Sequence, residues 1–243
     1  MPRPLDADPT LRPVGVKIWS DGSPWIGNIE TSFGYQDSPH TRAIGVHPGH
    51  RGCSNYTPEQ LLELCRKYVS QGWQIACHVP GDIAVDTVLD TFDGVQQETG
   101  RTDLRLRMEH CGSITADQVR RAHELGVTIS FFVAHLYYYG EVLRDFIGTH
   151  AENWTPAGAV LGPDVAIGVR EAIRAQTIYP TWQLHSDHEI GSIEPGKFAD
   201  FVVLDANPLT VPAHDIHTIH IRRTWINGRR ASAKTNDRAE STT

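Results

Sequence analysis

At 243 residues, with 40% hydrophobic and 21% charged side chains, the chain lies in the ordinary globular range and can bury one large core or two small ones. Its 29 acidic against 22 basic residues leave a formal net charge of −7, which provides no electrostatic footprint for nucleic acid or an anionic membrane. No stretch approaches the roughly 18 apolar residues of a membrane span, and Met1-Pro-Arg-Pro-Leu-Asp-Ala-Asp-Pro lacks the apolar core of a signal peptide, so a cytoplasmic product is expected.

The first strand is expected over 14–19. A long Gly/Pro-rich loop follows, and a helix opens at Thr57: Thr57 and Gln60 form a capping box, Pro58 takes the first helical position, and Tyr56 with Leu61 makes a hydrophobic staple. Leu61, Cys65 and Tyr68 recur at helical spacing, and 74–79 reads as a strand with alternating inner and outer residues. Ala84, Val85, Val88, Leu89, Phe92 and Val95 line the next amphipathic helix. A strand over 104–110 follows, then a helix capped by Thr115 with Gln118 and stapled by Ile114 and Val119, then a strand over 128–133. Tyr137-Tyr-Tyr is expected in a long loop leading to a helix over 169–178. Beyond it the texture turns β-rich: 199–204 and 219–226 are strand-like, and Asn227-Gly228 signals a hairpin. The small polar residues from 235 onward read as a disordered tail.

Alternating strands and helices specify consecutive βα units, hence a (β/α) barrel or an open doubly wound sheet. Both place function at the carboxyl ends of the strands. Those ends carry Lys17, His78, His110 and His135. Imidazole is the commonest metal ligand and a near-neutral acid or base, and histidines at successive strand ends can converge on one ion. By spacing alone, each remains open to a second reading as a hydrogen-bonded core histidine, and Lys17 reads by default as a solvated or salt-bridged amine. The 4 cysteines lack CxxC spacing and read as reduced, mostly buried thiols.

Gly15-Val-Lys-Ile-Trp-Ser-Asp-Gly-Ser23, His78-Val-Pro-Gly-Asp82, Glu109-His110 and Glu189-Ile-Gly-Ser-Ile-Glu-Pro-Gly-Lys-Phe-Ala-Asp-Phe-Val-Val-Leu204 resemble, in order, landmarks of amidohydrolase family 3, the formamide-deformylase-like branch of the metal-dependent amidohydrolases. The resemblance implies an α/β fold: an N-terminal extension over 1–13, a partial (β/α)8 TIM-like barrel over 14–184, part of a small β-sandwich over 185–234, and the tail over 235–243. It further implies a divalent metal, zinc by preference, with Lys17, His78 and His110 as ligands. Lys17 would be carbamylated, which turns an amine into an anionic oxygen donor, and Asp82 would orient the groups around His78. The implied substrate is a small amide or formamide, cleaved at a non-peptide C–N bond.

The sequence departs from that pattern in two places. The family's early His-x-His pair has no counterpart before Val14, so Met1 reads as an internal start, and the strand-eight segment with its proton-shuttling aspartate is missing between Val160 and Leu161. Asp164 reads as a helix-capping carboxylate, and Asp187, in His185-Ser-Asp187, as the weaker candidate to replace the missing aspartate. The expectation is therefore an impaired metal-dependent hydrolase or, alternatively, an inactive fragment acting at most as a structural or interaction partner. Open sheet edges and an exposed apolar interior face would then favour self-association.

Overall fold

In the computed structural model, which describes residues 13–155 and 167–231, four strands form a parallel sheet in chain order: β1 (Gly15–Trp19), β2 (Gln74–His78), β3 (Arg107–His110) and β4 (Thr128–Phe131). Helices carry the crossovers: α1 (Pro39–Ala43) and α2 (Pro58–Ser70), then α3 (Asp82–Thr99), then α4 (Ala116–Glu124). These are the βα units of a barrel, but the ring does not close among the described residues, and β1 and β4 are its edges. β3 begins three residues later than the sequence suggests because Arg105, at φ 49°, interrupts the extended backbone.

Two helix starts follow the local code. The Thr57 hydroxyl accepts from Gln60 N at 3.3 Å, while the Gln60 side chain accepts from Thr57 N at 2.9 Å. Thr115 and Gln118 make the same reciprocal pair at 3.3 and 3.0 Å. Each box satisfies two otherwise unpaired N–H groups, worth about 1 kcal/mol.

One face of the sheet is apolar. Ile18, Ile75, Cys77 and Met108 pack there against Leu61 and Cys65 of α2, Val85, Leu89 and Phe92 of α3, and Ala122 of α4. Fully burying such an aliphatic or aromatic side chain contributes roughly 1.5–3 kcal/mol. Cys65, Cys77 and Cys111 are buried and Cys53 exposed, all as free thiols.

The opposite face corrects one expectation. Register places Lys17 beside Ala76 and Arg107, and aligns Trp19, His78, Glu109 and Ser130 one pleat further on. The interior face of this sheet is therefore polar and charged, not apolar. β2 alternates as expected, with Ile75 and Cys77 on the apolar face and Ala76 and His78 on the polar one, but all five of its residues are buried because it is an internal strand.

The Tyr137-Tyr-Tyr segment also differs from expectation, since it lies in a helix, α5 (Ala134–Ile147), rather than in a loop. Leu143, Phe146 and Ile147 recur at helical spacing and are buried together with Ile29 and Tyr35 of the β1–α2 connection and with Ala151 and Trp154. This second core fixes the long connection after β1 over the carboxyl ends of the strands.

A second unit begins at Ile167 and is described by itself. It holds α6 (Val169–Gln176), α7 (Ile178–Gln183) and an antiparallel sheet of β5 (Phe201–Leu204), β6 (Ile221–Ile226) and β7 (Arg229–Arg230). The β6–β7 hairpin turns on Asn227 at φ 49° and Gly228 at φ 70°, the two positive φ values that a tight hairpin of this twist requires. Among the described residues no helix is long and apolar enough to cross a membrane. Residues 1–12, Asp164 and the tail over 235–243 lie outside the described residues.

Candidate metal centre

The strand ends meet as a row of rings. Trp19 lies flat on His78, with ring centroids 4.1 Å apart and an interplanar angle of 17°. His110 meets His78 edge-on at 4.5 Å, and His135, in the first turn of α5, is 6.0 Å from His110. Phe132 closes the row against His110 and His135 at 5.5 and 4.6 Å.

Backbone conformation accounts for the position of His110. Extended alternation would direct it to the face occupied by Met108, but His110 has φ 74° and Cys111 φ 46°, which turns the ring back towards His78. Consecutive non-glycine residues at positive φ are costly, and such strain concentrates at functional sites.

Hydrogen bonding sets the tautomer of His78. Its Nε2 lies 2.6 Å from the carbonyl oxygen of Gly22, and a carbonyl only accepts, so Nε2 carries the proton. Nδ1 then bears a lone pair, and this atom, like Nδ1 of His110, is buried without a partner. Both rings are biased towards neutrality. Burial lowers the His78 pKa, with the Lys17 ammonium adding to the effect against the opposing Gly22 bond. Burial, helped by His78, Lys17 and His135, lowers that of His110 to about 4. Burial and His78 act in the same sense on His135, whose Nδ1 accepts from the Trp154 indole at 3.5 Å.

Lys17 stands on the same sheet face, with Nζ 3.6 Å from Glu109 Oε1. Burial lowers its pKa and Glu109 partly restores it. Burial raises Glu109, but Arg107, at 2.7 Å, and Lys17 outweigh it and leave the carboxylate below its ordinary range.

Asp82 and Asp187 are the other sequence candidates. Asp82 sits at the start of α3 with its carboxylate on Ser32, accepting from Ser32 N at 2.9 Å and from the hydroxyl; the direct partner of His78 is Gly22. Asp187 lies in the turn after α7, in the second unit.

Sequence reasoning did not single out Asp21. It is fully buried, its Oδ2 accepts from Glu30 N at 3.1 Å and Gly81 N at 3.0 Å, and its Oδ1 has no partner. Burial pushes its pKa up to about 8, against the opposing pull of those two bonds. The available signal was an acid immediately after a strand, in Trp19-Ser-Asp21-Gly.

Two buried, unpartnered imidazole nitrogens on adjacent rings, that of His78 bearing a lone pair, suit a divalent cation, although catalytic zinc sites take about three protein ligands. Among the described residues no group of three or more His, Cys, Asp or Glu side chains is arranged to hold a metal ion.

Fold and site together define an α/β protein of the barrel type with a histidine cluster at its strand ends. A profile of the amidohydrolase family (Amidohydro_3) matches residues 2–157 and 144–231, and the chain belongs to that family. N-substituted formamide deformylase of Arthrobacter pascens is 27% identical over 225 residues, which cover 75% of this chain and 41% of that protein. The putative amidohydrolase YtcJ of Bacillus subtilis is 24% identical, over 88% and 46% of the two chains. Among solved structures, an uncharacterized metal-dependent hydrolase from Pyrococcus furiosus shares the fold at a TM-score of 0.65 and 23% identity, over 82% of this chain and 46% of that one. The chain thus spans less than half the length of these relatives.

Proposed function

We propose that the chain carries part of the machinery of a metal-dependent hydrolase of non-peptide C–N bonds, with His78 and His110 as ligands of a divalent cation, zinc by preference, and Lys17 beside them as a carbamylation site. The observation that carries this reading is the pair of buried, unpartnered Nδ1 atoms on rings 4.5 Å apart, both biased to the neutral form that ligates metals. A cation held there would supply carbonyl polarisation and a hydroxide near neutral pH. The residues of the chain do the rest: Gly22 fixes the His78 tautomer, the positive-φ turn at His110 aims the second ring, and Trp19 and Phe132 flank the pair with apolar surface. The substrate class, small amides or formamides, is proposed from the name of the Arthrobacter relative and from the family.

The same reading makes this chain a weak metal binder and a poor catalyst. Two histidines and a lysine that needs modification fall short of a full ligand set. The family profile matches in two overlapping stretches, 2–157 and 144–231, and the strand-eight segment missing between Val160 and Leu161 takes the proton-shuttling aspartate with it. Equilibrium dialysis against zinc with elemental analysis tests the reading. Zinc should bind in excess, wash out on exhaustive dialysis, and fail to bind His78→Ala or His110→Ala. Equal zinc content in the parent chain and both variants would overturn it.

A further inference from the structure

We propose that Asp21, together with Asn55, is the positioning device that presets the tautomer of His78, an inference that rests on the reading of His78 as a metal ligand. The Asp21 carboxyl bonds to backbone N–H groups and not to the His78 ring; it acts through backbone. One carboxylate oxygen takes two N–H groups from two different loops, Glu30 N after β1 and Gly81 N after β2, at 3.1 and 3.0 Å. The approach is so close that a Cβ at residue 81 would fall 2.1 Å from Glu30 O and 2.7 Å from Asp21 Oδ2, so only glycine fits.

Asn55 grips the same segment from the other side. Its side-chain amide donates to Trp19 O at 2.8 Å and Asp21 O at 3.1 Å, and its backbone N donates to Ser20 O at 2.7 Å. Ser20 N in turn donates to His78 O at 3.0 Å. The backbone from Trp19 to Asp21 is thereby fixed relative to β2, and the next carbonyl in the chain, that of Gly22, is the one on His78 Nε2 at 2.6 Å.

The arrangement is expensive for the fold. Asp21 is wholly buried with one oxygen unpartnered, and a buried polar atom without a partner destabilises the fold. An apolar residue would avoid that cost but would release both loops. What the carboxyl secures is a fixed acceptor opposite His78 Nε2, so that the bare nitrogen is always Nδ1. Groups that orient a metal-ligating histidine in this way typically change metal affinity by about 10- to 100-fold when removed.

Long-range ¹H–¹⁵N spectra of the imidazoles in the full chain, without metal, test the inference directly. The expected result is a His78 ring locked as the Nε2–H form in the parent chain and in Asp21→Asn, whose amide oxygen can accept both N–H groups. Asp21→Ala and Asn55→Ala should show a ring averaged between tautomers. Should Asp21→Ala fail to fold, Asn55→Ala carries the test, because it leaves the buried carboxyl in place. A locked His78 in a folded Asp21→Ala or Asn55→Ala protein, or loss of the lock in Asp21→Asn, would overturn the inference. Failure of the metal reading has a different signature: zinc would leave the His78 Nδ1 resonance of the parent chain unmoved while the tautomer lock still responded to the variants.

Discussion

The ring of His110 stands 4.5 Å from that of His78 because His110 leaves β3 at φ 74°. That relationship ties backbone strain to the site and makes residue 110 selective in an unusual way. Asn tolerates positive φ, whereas a β-branched side chain does not. His110→Asn should therefore retain most of the chain's stability, and His110→Val should lose about 1–3 kcal/mol. Urea titrations of the two variants check this; equal stabilities would show that the turn is unstrained.

Asp21 gives the pH dependence a definite sign. Its folded pKa of about 8 lies above the ordinary 3.8, so between those values the folded chain holds a proton that the unfolded chain has released. Stability from this group is full below about pH 4 and falls as pH rises towards 8, by at most about 1.4 kcal/mol per pH unit. Asp21→Asn should remove that slope, so the difference in stability between variant and parent grows in the variant's favour from pH 5 to pH 8. A constant difference across that range would contradict it.

Much of the first unit was legible in the sequence because its signals are local. The capping boxes at Thr57 and Thr115 announce their helices, and the short strand-like runs over 14–19, 74–79 and 104–110 announce β1, β2 and β3. Three features were not legible, each for a non-local reason. The helical α5 was masked by its tyrosines and Gly140, and its apolar stripe has meaning only against Ile29 and Tyr35, more than a hundred residues earlier. The polarity of the interior face depends on register between strands, which places Arg107 beside Lys17. The role of Asp21 depends on Gly81 and Glu30, which approach it from two separate loops.

The edge strands predict association. Among the described residues β1 and β4 each have one side without a strand neighbour, and such edges pair with other chains. Sedimentation velocity should show concentration-dependent oligomers. A monomer at all concentrations would count against open edges in solution.

Hydrolysis by the isolated chain should be slight, even with excess zinc and bicarbonate, against N-substituted formamides and N-acyl amino acids. Lacking a general acid alone typically costs about a hundred- to ten-thousand-fold in rate. Turnover that is abolished by Asp187→Asn but not by Asp164→Asn would instead give the His185-Ser-Asp187 segment the proton-transfer role.

A zinc titration followed through the imidazole nitrogens of His78 and His110 tests the metal centre itself. Nδ1 of both rings should shift together, Nε2 of His78 should keep its proton directed at the Gly22 carbonyl, and the binding should be weak enough to reverse on dialysis. Zinc that leaves both Nδ1 atoms unmoved, or that binds tightly through other residues, would contradict it.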